Sequence, residues 1–188
     1  MPAADTPVAT HAWKGAMTAL DIILMSFEML ALLAQVILCI LFYNHYDLDA
    51  VTYVGWALLL AAYLLGWGGR AAFGRKGAQR EGESWMNTRA VVDVGVFAVM
   101  RHPLYTSFAA IALGLACLSQ HPVAAALGVV TACLSYVDMI REEQRTARRL
   151  GDAYREYMER VPRLNILLGI VRLIRRRRAA RSDHGEAG

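Results

Sequence analysis

The sequence contains few of the residues from which metal sites and disulfide scaffolds are built. Its three cysteines lie inside apolar runs and form no Cys-x-x-Cys pair, which favours thiols that pack as small apolar groups. The five histidines show no spacing typical of zinc ligands, so we expect no metal. The first twelve residues lack a cationic segment followed by an apolar core and a cleavage site, and we expect no removable signal peptide.

Charged and apolar residues are instead separated into blocks. The 188 residues are enough for one domain. Hydrophobic residues make up 56% of the chain, above the roughly 45–50% of ordinary soluble domains, yet the chain also carries 20 Lys and Arg and 16 Asp and Glu. Because the two populations hardly mix along the chain, the pattern is typical of a membrane protein.

Four apolar runs predict membrane helices. Residues 22–43 and 51–69 are long enough to cross a hydrocarbon core of about 30 Å. The shorter runs 104–118 and 123–137 predict a tight helical hairpin, extended toward the cytoplasm to about 98–118 and 122–140, with a re-entrant hairpin as the alternative. The predicted fold is an all-α, multi-pass membrane domain of four hydrophobic helices over residues 1–163. An amphipathic, polybasic tail of residues 164–188 follows it.

The distribution of cations predicts the orientation. Six Lys and Arg residues lie between residues 70 and 101 and thirteen lie from residue 141 onward, whereas the connections 44–50 and 119–122 contain none. By the positive-inside rule, both termini and the 70–101 loop are cytoplasmic. A small chain rich in Ala and Arg fits a bacterial inner membrane.

Polar residues recur along the first predicted helix. Asp21, Glu28 and Gln35 are spaced seven apart and therefore share one helix face. Polar groups at membrane depth face protein or a wet cavity. Two interpretations remain open: a stripe that contacts a substrate head group or a proton, and a seam that packs against a neighbouring helix or subunit.

Two charged segments are predicted to meet at the cytoplasmic face. Arg101, His102 and Pro103 stand where the loop enters the third helix, and the free N–H groups of a first helical turn can receive a carboxylate. Glu142 and Glu143 are expected to end the fourth helix at the same level, where they can accept hydrogen bonds from an amino group or from ribose hydroxyls. Together these elements would bracket a zwitterionic, amino-acid-like molecule.

These segments resemble a known family. Residues 89–105, Arg141–Glu143, Gly151–Tyr157 and Val161–Arg163 are similar, in order and in spacing, to the isoprenylcysteine carboxyl methyltransferases and their phospholipid-methylating relatives. The resemblance implies an integral-membrane methyltransferase that binds S-adenosyl-L-methionine in its cytoplasmic loops and admits a lipid-like substrate laterally. It assigns cofactor contacts to Arg89, Val92, Gly95, Phe97, His102, Pro103, Leu104, Tyr105 and Glu142. From their charge and position we add weaker predicted substrate contacts at Asp138, Arg141, Glu143 and Glu28.

One position departs from the family pattern. Carboxyl-methylating members commonly have an Arg four residues before the cofactor-binding acid, whereas this chain has Asp138. An anion there repels a carboxylate and favours an amine or a neutral hydroxyl, although Arg141 or Arg145 could compensate. No catalytic base is assigned, because Glu143, Tyr105 and Glu28 could each accept a proton.

Two further motifs have simpler interpretations. Gly66-Trp67-Gly68-Gly69 follows no strand, so we interpret it as small residues that ease helix packing rather than as a nucleotide loop. The tail contains four consecutive arginines, Arg175–Arg178, and beside a membrane domain we expect it to bind anionic lipids rather than nucleic acid.

The predicted function is therefore S-adenosylmethionine-dependent methylation of a lipid or isoprenoid-type substrate, of the isoprenylcysteine carboxyl methyltransferase kind. The alternatives are N-methylation of phosphatidylethanolamine and a non-enzymatic role as a small membrane assembly protein. A sterol-reductase-like role is a third possibility.

Overall fold

A computed structural model describes residues 19–75 and 91–185. Within these ranges the chain forms six α-helices and one 3₁₀ helix, and no β-strand. The elements are α1 (Ala19–Leu41), α2 (Asp49–Arg75), the 3₁₀ helix (Gly95–Ala98), α3 (Pro103–Ser119), α4 (Pro122–Leu150), α5 (Asp152–Arg160) and α6 (Ile166–Gly185). The all-α prediction is confirmed for this part of the chain.

Three of the helices are long and apolar enough to cross a membrane. They are α1, residues Asp49–Ala72 of α2, and α4. Large apolar side chains cover the outward faces of α1 and α2, including Ile40 and Tyr53, which are 75% and 73% exposed. An apolar surface of this extent is unfavourable in water and is matched by lipid. α3 has 17 residues, or about 25 Å of helix, so its crossing of the whole bilayer stays a prediction.

The start of α3 differs from the prediction. The third span was expected from about residue 98, but the helix begins at Pro103, and Gly95–Ala98 forms the separate 3₁₀ helix. Gly95 has φ +59°, a conformation that a residue without a Cβ adopts readily. Pro103 has no backbone N–H and so fits the first helical turn. The residues between Ala98 and Pro103 therefore connect two elements instead of extending one.

The end of α4 also differs. Glu142 and Glu143 were expected to end this helix, but it continues to Leu150, about two turns further. Residues 144–150 are mostly good helix formers, and the helix ends where Gly151 takes φ +59°. Both glutamates thus lie inside a continuous helix, which fixes their direction relative to the rest of the bundle.

Small residues on α2 bring α3 close to it. A Cβ atom at Gly69 would lie 3.1 Å from Leu104, and one at Gly66 would lie 3.2 Å from Oγ of Ser107. The interpretation of Gly66–Gly69 as a packing motif is confirmed, because close helix approach requires the absence of these side chains. α3 packs between α2 and α4, while α1 lies against α3 and α4.

The opposite end of the bundle is held by Gln120, the αL residue that ends α3. Its Nε2 donates to Oδ1 of Asn44 at 2.6 Å, and its Oε1 accepts from the backbone N–H groups of Tyr46 and Leu48, each at 3.2 Å. These bonds join the α1–α2 connection to the α3–α4 turn. They therefore hold α1, α2, α3 and α4 in fixed positions along one another.

Candidate functional site

A buried carboxylate lies at the end of the bundle where α3 begins. Glu143 on α4 is 7% exposed. Its Oε2 lies 2.9 Å from Nε2 of His102 and 3.4 Å from Nη2 of Arg101. Its Oε1 accepts a hydrogen bond of 2.6 Å from Nη2 of Arg163. One side chain therefore joins the start of α3, the middle of α4 and the segment after α5.

The contacts of Glu143 limit what else it can do. Both of its oxygens are engaged by side chains of the chain itself, although the sequence assigned it to substrate binding. The hydrogen bonds that Arg163 donates to Glu143 raise the pKa of this guanidinium above its usual value. A backbone bond of 3.1 Å from the N–H of Arg101 to the carbonyl of Pro162 reinforces the same junction. This geometry suits a structural role for Glu143, in which its carboxylate holds α3, α4 and the segment after α5 together.

A pocket of about 130 Å³ opens next to this junction, between α1, α3 and α4. Two of its lining residues, Leu104 and Tyr105, are predicted cofactor contacts, and two others, Glu28 and Asp138, are predicted substrate contacts. Its remaining walls are Asp21, Met25, Met29, Phe108, Ser135 and Arg145. The structure thus brings residues of both predicted groups around one cavity.

The charges around the pocket are unevenly paired. Asp21 is buried and binds two cations, Arg141 at 2.9 Å and Arg145 at 2.8 Å. Glu28 accepts a hydrogen bond of 3.1 Å from Oγ of Ser135. Asp138 has its Oδ1 without a hydrogen-bond partner, and the nearest cation, Arg141, lies 3.8 Å away. Carboxylates therefore outnumber the cations that neutralise them.

The polar stripe of α1 divides into different roles. Gln35, fully buried, donates from Nε2 to the carbonyls of Ala112 at 2.9 Å and Ala124 at 3.0 Å. This residue packs as a seam between α3 and α4, whereas Asp21 and Glu28 face the pocket. Packing as a seam is confirmed for Gln35, whereas contact of Asp21 and Glu28 with a substrate head group or a proton stays a prediction.

The residues before α3 form a separate cluster. Val92 and Phe97 pack with Ala72 of α2, and the hydroxyl of Tyr157 donates a hydrogen bond of 2.7 Å to the carbonyl of Phe97. Tyr154, also in α5, packs beside Tyr157. Its burial, and to a smaller extent the charge of Glu143, raise its pKa to about 12. Gly95, Val92 and Phe97 are thus held by α2 and α5 rather than at the wall of the pocket.

Four predicted residues complete the comparison. Glu142 accepts a hydrogen bond of 3.0 Å from Oγ1 of Thr146 and pairs with Arg145 at 3.2 Å. The rings of His102 and Tyr105 meet edge to face, with their centroids 6.0 Å apart. Arg89 lies outside the described residues.

The start of α3 offers donors that suit a zwitterionic cofactor. The side chain of His102, the N-cap residue, makes no capping bond, so the first backbone N–H groups of the helix keep their capacity to donate. Nε of Arg101 is buried without a hydrogen-bond partner. These donors suit a carboxylate, and the carboxylate of Glu142, which is partly exposed, suits an amino group. The residues present fit S-adenosylmethionine.

Several residues of the site were not assigned by the sequence. Arg163 and Ser135 make direct contacts within it, and Arg145 lines the pocket. For α4, the sequence contains a pattern that could have indicated these residues. Polar residues spaced three or four apart lie on one face of this helix: Ser135, Asp138, Glu142 and Arg145. Arg163 lay in the family-like segment Val161–Arg163, but the sequence did not indicate its partner, which lies 20 residues earlier in the chain.

Comparison with models of protein families identifies a family that matches this chain. A family model described as phospholipid methyltransferase matches residues 50–153, more than half of the chain. The matched region runs from α2 to the start of α5 and so includes His102, Tyr105, Asp138 and Glu142. No curated protein and no solved structure matches the chain.

Proposed function

Since the chain belongs to the phospholipid methyltransferase family, we propose that it transfers a methyl group from S-adenosylmethionine to the amine head group of a membrane phospholipid. The observation that carries this proposal is the acidic pocket between α1, α3 and α4. The pocket combines three carboxylates with an apolar wall, a chemistry suited to a cationic head group attached to acyl chains.

The charges of the pocket favour an amine over a carboxylate. Asp138, whose ion pair with Arg141 is long at 3.8 Å, and Glu28, which is bonded to Ser135, are carboxylates that would attract an ammonium group and repel an acid. Binding of a carboxylate would need a free guanidinium. Arg141 and Arg145, the residues able to compensate for Asp138, are both held by Asp21.

The apolar wall supports entry of the substrate from the membrane. Met25, Met29 and Phe108 line the pocket and are each about half exposed. They belong to α1 and α3, whose outward faces are apolar. A lipid that lies beside the bundle can therefore place its head group among the carboxylates while its acyl chains stay in the hydrocarbon region.

The cofactor would be held at the start of α3. The first N–H groups of that helix and Arg101 would bind its carboxylate, and Glu142 would bind its amino group. When bound, S-adenosylmethionine supplies an electrophilic methyl group on a sulfonium centre. The junction at Glu143 would keep these donors aligned, and alignment is the main requirement of a direct displacement.

The amine must lose a proton before its nitrogen can form a bond to carbon. Asp138 is the pocket carboxylate with an oxygen that lacks a hydrogen-bond partner, so we assign it the role of holding the ammonium group and accepting that proton. Glu28, bound to Ser135, would add negative charge that keeps the head group in the pocket.

Calorimetry with S-adenosylhomocysteine tests whether the chain is an enzyme or a non-enzymatic membrane protein. We expect saturable binding to the detergent-purified protein and at least about tenfold weaker binding to Glu142→Ala, since a charge-assisted contact contributes about 1.5–3 kcal/mol. Glu156→Ala, which removes an exposed carboxylate from α5, is the matched control. Absence of saturable heat with the unmodified protein rejects the proposal.

A labelling experiment identifies the acceptor. The protein is incubated in vesicles that contain phosphatidylethanolamine and a radiolabelled methyl donor, and the lipid product is then treated with mild base. A methyl ester releases its label as volatile methanol under this treatment, whereas a label on nitrogen stays bonded to the head group. Base-labile product from a lipid extract would instead support carboxyl methylation of the isoprenylcysteine type.

A further inference from the structure

The last helix is attached to the bundle by one face. α6 packs Gly169 against the backbone of Val99 so closely that any side chain at this position would overlap the Val99 carbonyl. On the same side of the helix, Nη1 of Arg172 donates to the carbonyl of Glu159 at 3.1 Å, and Nη2 of Arg176 donates to the carbonyl of Ala98 at 3.1 Å. Gly169, Arg172 and Arg176 therefore form the attached face of α6.

The opposite face is an apolar stripe. It consists of Leu167, Ile170, Val171 and Ile174, whose spacing of three, one and three residues places them on one side of a helix. Leu167 is 78% exposed and the other three are 41–45% exposed. Nothing in the described part of the chain covers this stripe, so a partner must cover it if the helix is to be stable in water.

Cations lie next to the stripe. Arg175 and Arg178 are exposed, and no acidic residue occurs between residues 160 and 182. An apolar face beside a group of arginines is the pattern of a helix that lies in the plane of a membrane surface, with its apolar side chains below anionic head groups. α6 also starts beside the end of the bundle at which α3 begins, since Pro162, four residues before it, bonds to Arg101 at the start of α3.

We propose that the apolar stripe of α6 inserts into the adjacent leaflet, that its arginines bind anionic lipid head groups, and that this docking fixes the segment between the 3₁₀ helix and α3. A second copy of the chain would cover the stripe but would bring two sets of arginines together. A membrane with anionic lipids covers the apolar stripe with acyl chains and pairs its head groups with the arginines.

The coupling follows from where α6 is attached. Its two contacts with the body at Ala98 and Val99 lie within four residues of His102. When α6 is held on the membrane, Gly169 and Arg176 constrain this segment from the outside, while Tyr157 holds Phe97 from the inside. Anionic lipid thus orders the segment that leads into α3. The docking and the ordering do not depend on the proposed methyl transfer.

A spin label measures the docking in the intact chain. Leu167→Cys is labelled with a nitroxide in a background without Cys39, Cys117 and Cys133, and the protein is reconstituted into phosphatidylcholine nanodiscs with or without phosphatidylglycerol. With phosphatidylglycerol present, we expect the nitroxide to be more accessible to oxygen than to an aqueous nickel complex. Arg175→Gln should shift the balance between inserted and released label about fivefold toward release. Arg155→Gln, which removes an exposed cation from α5, should leave it unchanged.

Two outcomes of this measurement would overturn the docking. One is a label that stays equally accessible to the nickel complex in both lipid mixtures. The other is spin–spin broadening that disappears on dilution with unlabelled protein, which would mean that a second copy covers the stripe.

Hydrogen exchange measures the ordering without any cofactor. We expect slower exchange of the amides of residues 99–102 in nanodiscs with phosphatidylglycerol, and loss of this difference in Arg176→Gln but not in Arg155→Gln. Equal exchange in both lipid mixtures would reject the coupling even if the label at residue 167 inserts. Because neither readout uses S-adenosylmethionine, a failure here is distinct from a failure of the proposed enzyme activity.

Discussion

Nε2 of His102 lies 2.9 Å from Oε2 of Glu143, although the two residues are 41 positions apart in the chain. This contact joins the start of α3 to α4 at a buried position, and Arg101 and Arg163 complete it with two further cations. Arg101, a proposed cofactor donor, belongs to this junction, and Leu104 and Tyr105 of the pocket follow it directly in α3. Its integrity is therefore the first structural requirement of the proposed site.

Removal of the Glu143 carboxylate should destabilise the protein strongly. Glu143→Ala leaves Arg101 buried and without its counter-ion, and loss of one partner of a buried ion pair costs about 3–5 kcal/mol. The free energy of unfolding in mixed micelles would measure the loss. Glu156→Ala should change it by less than about 0.5 kcal/mol. A similar small effect of Glu143→Ala would show that the junction does not hold the segments together.

Asp138→Asn should separate catalysis from cofactor binding. If Asp138 accepts the proton of the amine, its loss should lower kcat by about 10²-fold or more. The dissociation constant for S-adenosylhomocysteine should stay within about twofold, because Asp138 is not among the proposed cofactor contacts. Glu28→Gln should act mainly on KM for the lipid. Unchanged kcat in Asp138→Asn would remove this residue from the mechanism.

Gly68 should tolerate a side chain only if Val96 is shortened. A Cβ at Gly68 would overlap Cγ2 of Val96 in the 3₁₀ helix. Gly68→Ala should therefore destabilise the protein by about 1–3 kcal/mol, the usual effect of overpacking. Val96→Ala in the same chain should restore most of this loss, which a double-mutant cycle of unfolding free energies would detect. Additive effects of the two substitutions would contradict the close contact.

The volume of the Gln35 side chain should contribute more to the free energy of unfolding than its polar group does. Its Nε2 bonds to two helix carbonyls, but its Oε1 is buried without a partner. Gln35→Leu loses two hydrogen bonds, each worth about 0.6 kcal/mol within a membrane, and also removes the unpaired oxygen, so the net change should stay below about 1 kcal/mol. Gln35→Ala should cost about 2 kcal/mol or more because it leaves a cavity. The reverse order in unfolding measurements would show that the polar contact dominates.

Alkaline pH should destabilise the α5 region through Tyr154. Burial and the charge of Glu143 raise the pKa of this tyrosine from its usual value near 10 to about 12, so the folded state favours the neutral phenol. The stabilising contribution is complete below pH 10 and is lost as the pH rises toward 12, because the unfolded chain releases its proton first. Tyr154→Phe should therefore show a smaller decrease in unfolding free energy between pH 9 and pH 11. An identical decrease in both proteins would contradict the raised pKa.

The sequence by itself determined the membrane helices and the residues that carry charge. Unbroken apolar runs predicted α1, α2 and α4, because a helix that satisfies its own backbone is the structure that such a run adopts in lipid. The spacing of seven placed Asp21, Glu28 and Gln35 on one face, since the helical period is a local property. The glycines of α2 likewise indicated close packing before any partner was known.

Only the tertiary structure decided what those residues contact. Asp21 pairs with arginines more than a hundred positions away, while Glu28 meets Ser135 and Gln35 meets the carbonyls of two other helices. Helical periodicity acts between residues three or four apart, whereas ion pairs and pockets depend on how separate helices are placed. That placement comes from the packing of the whole bundle.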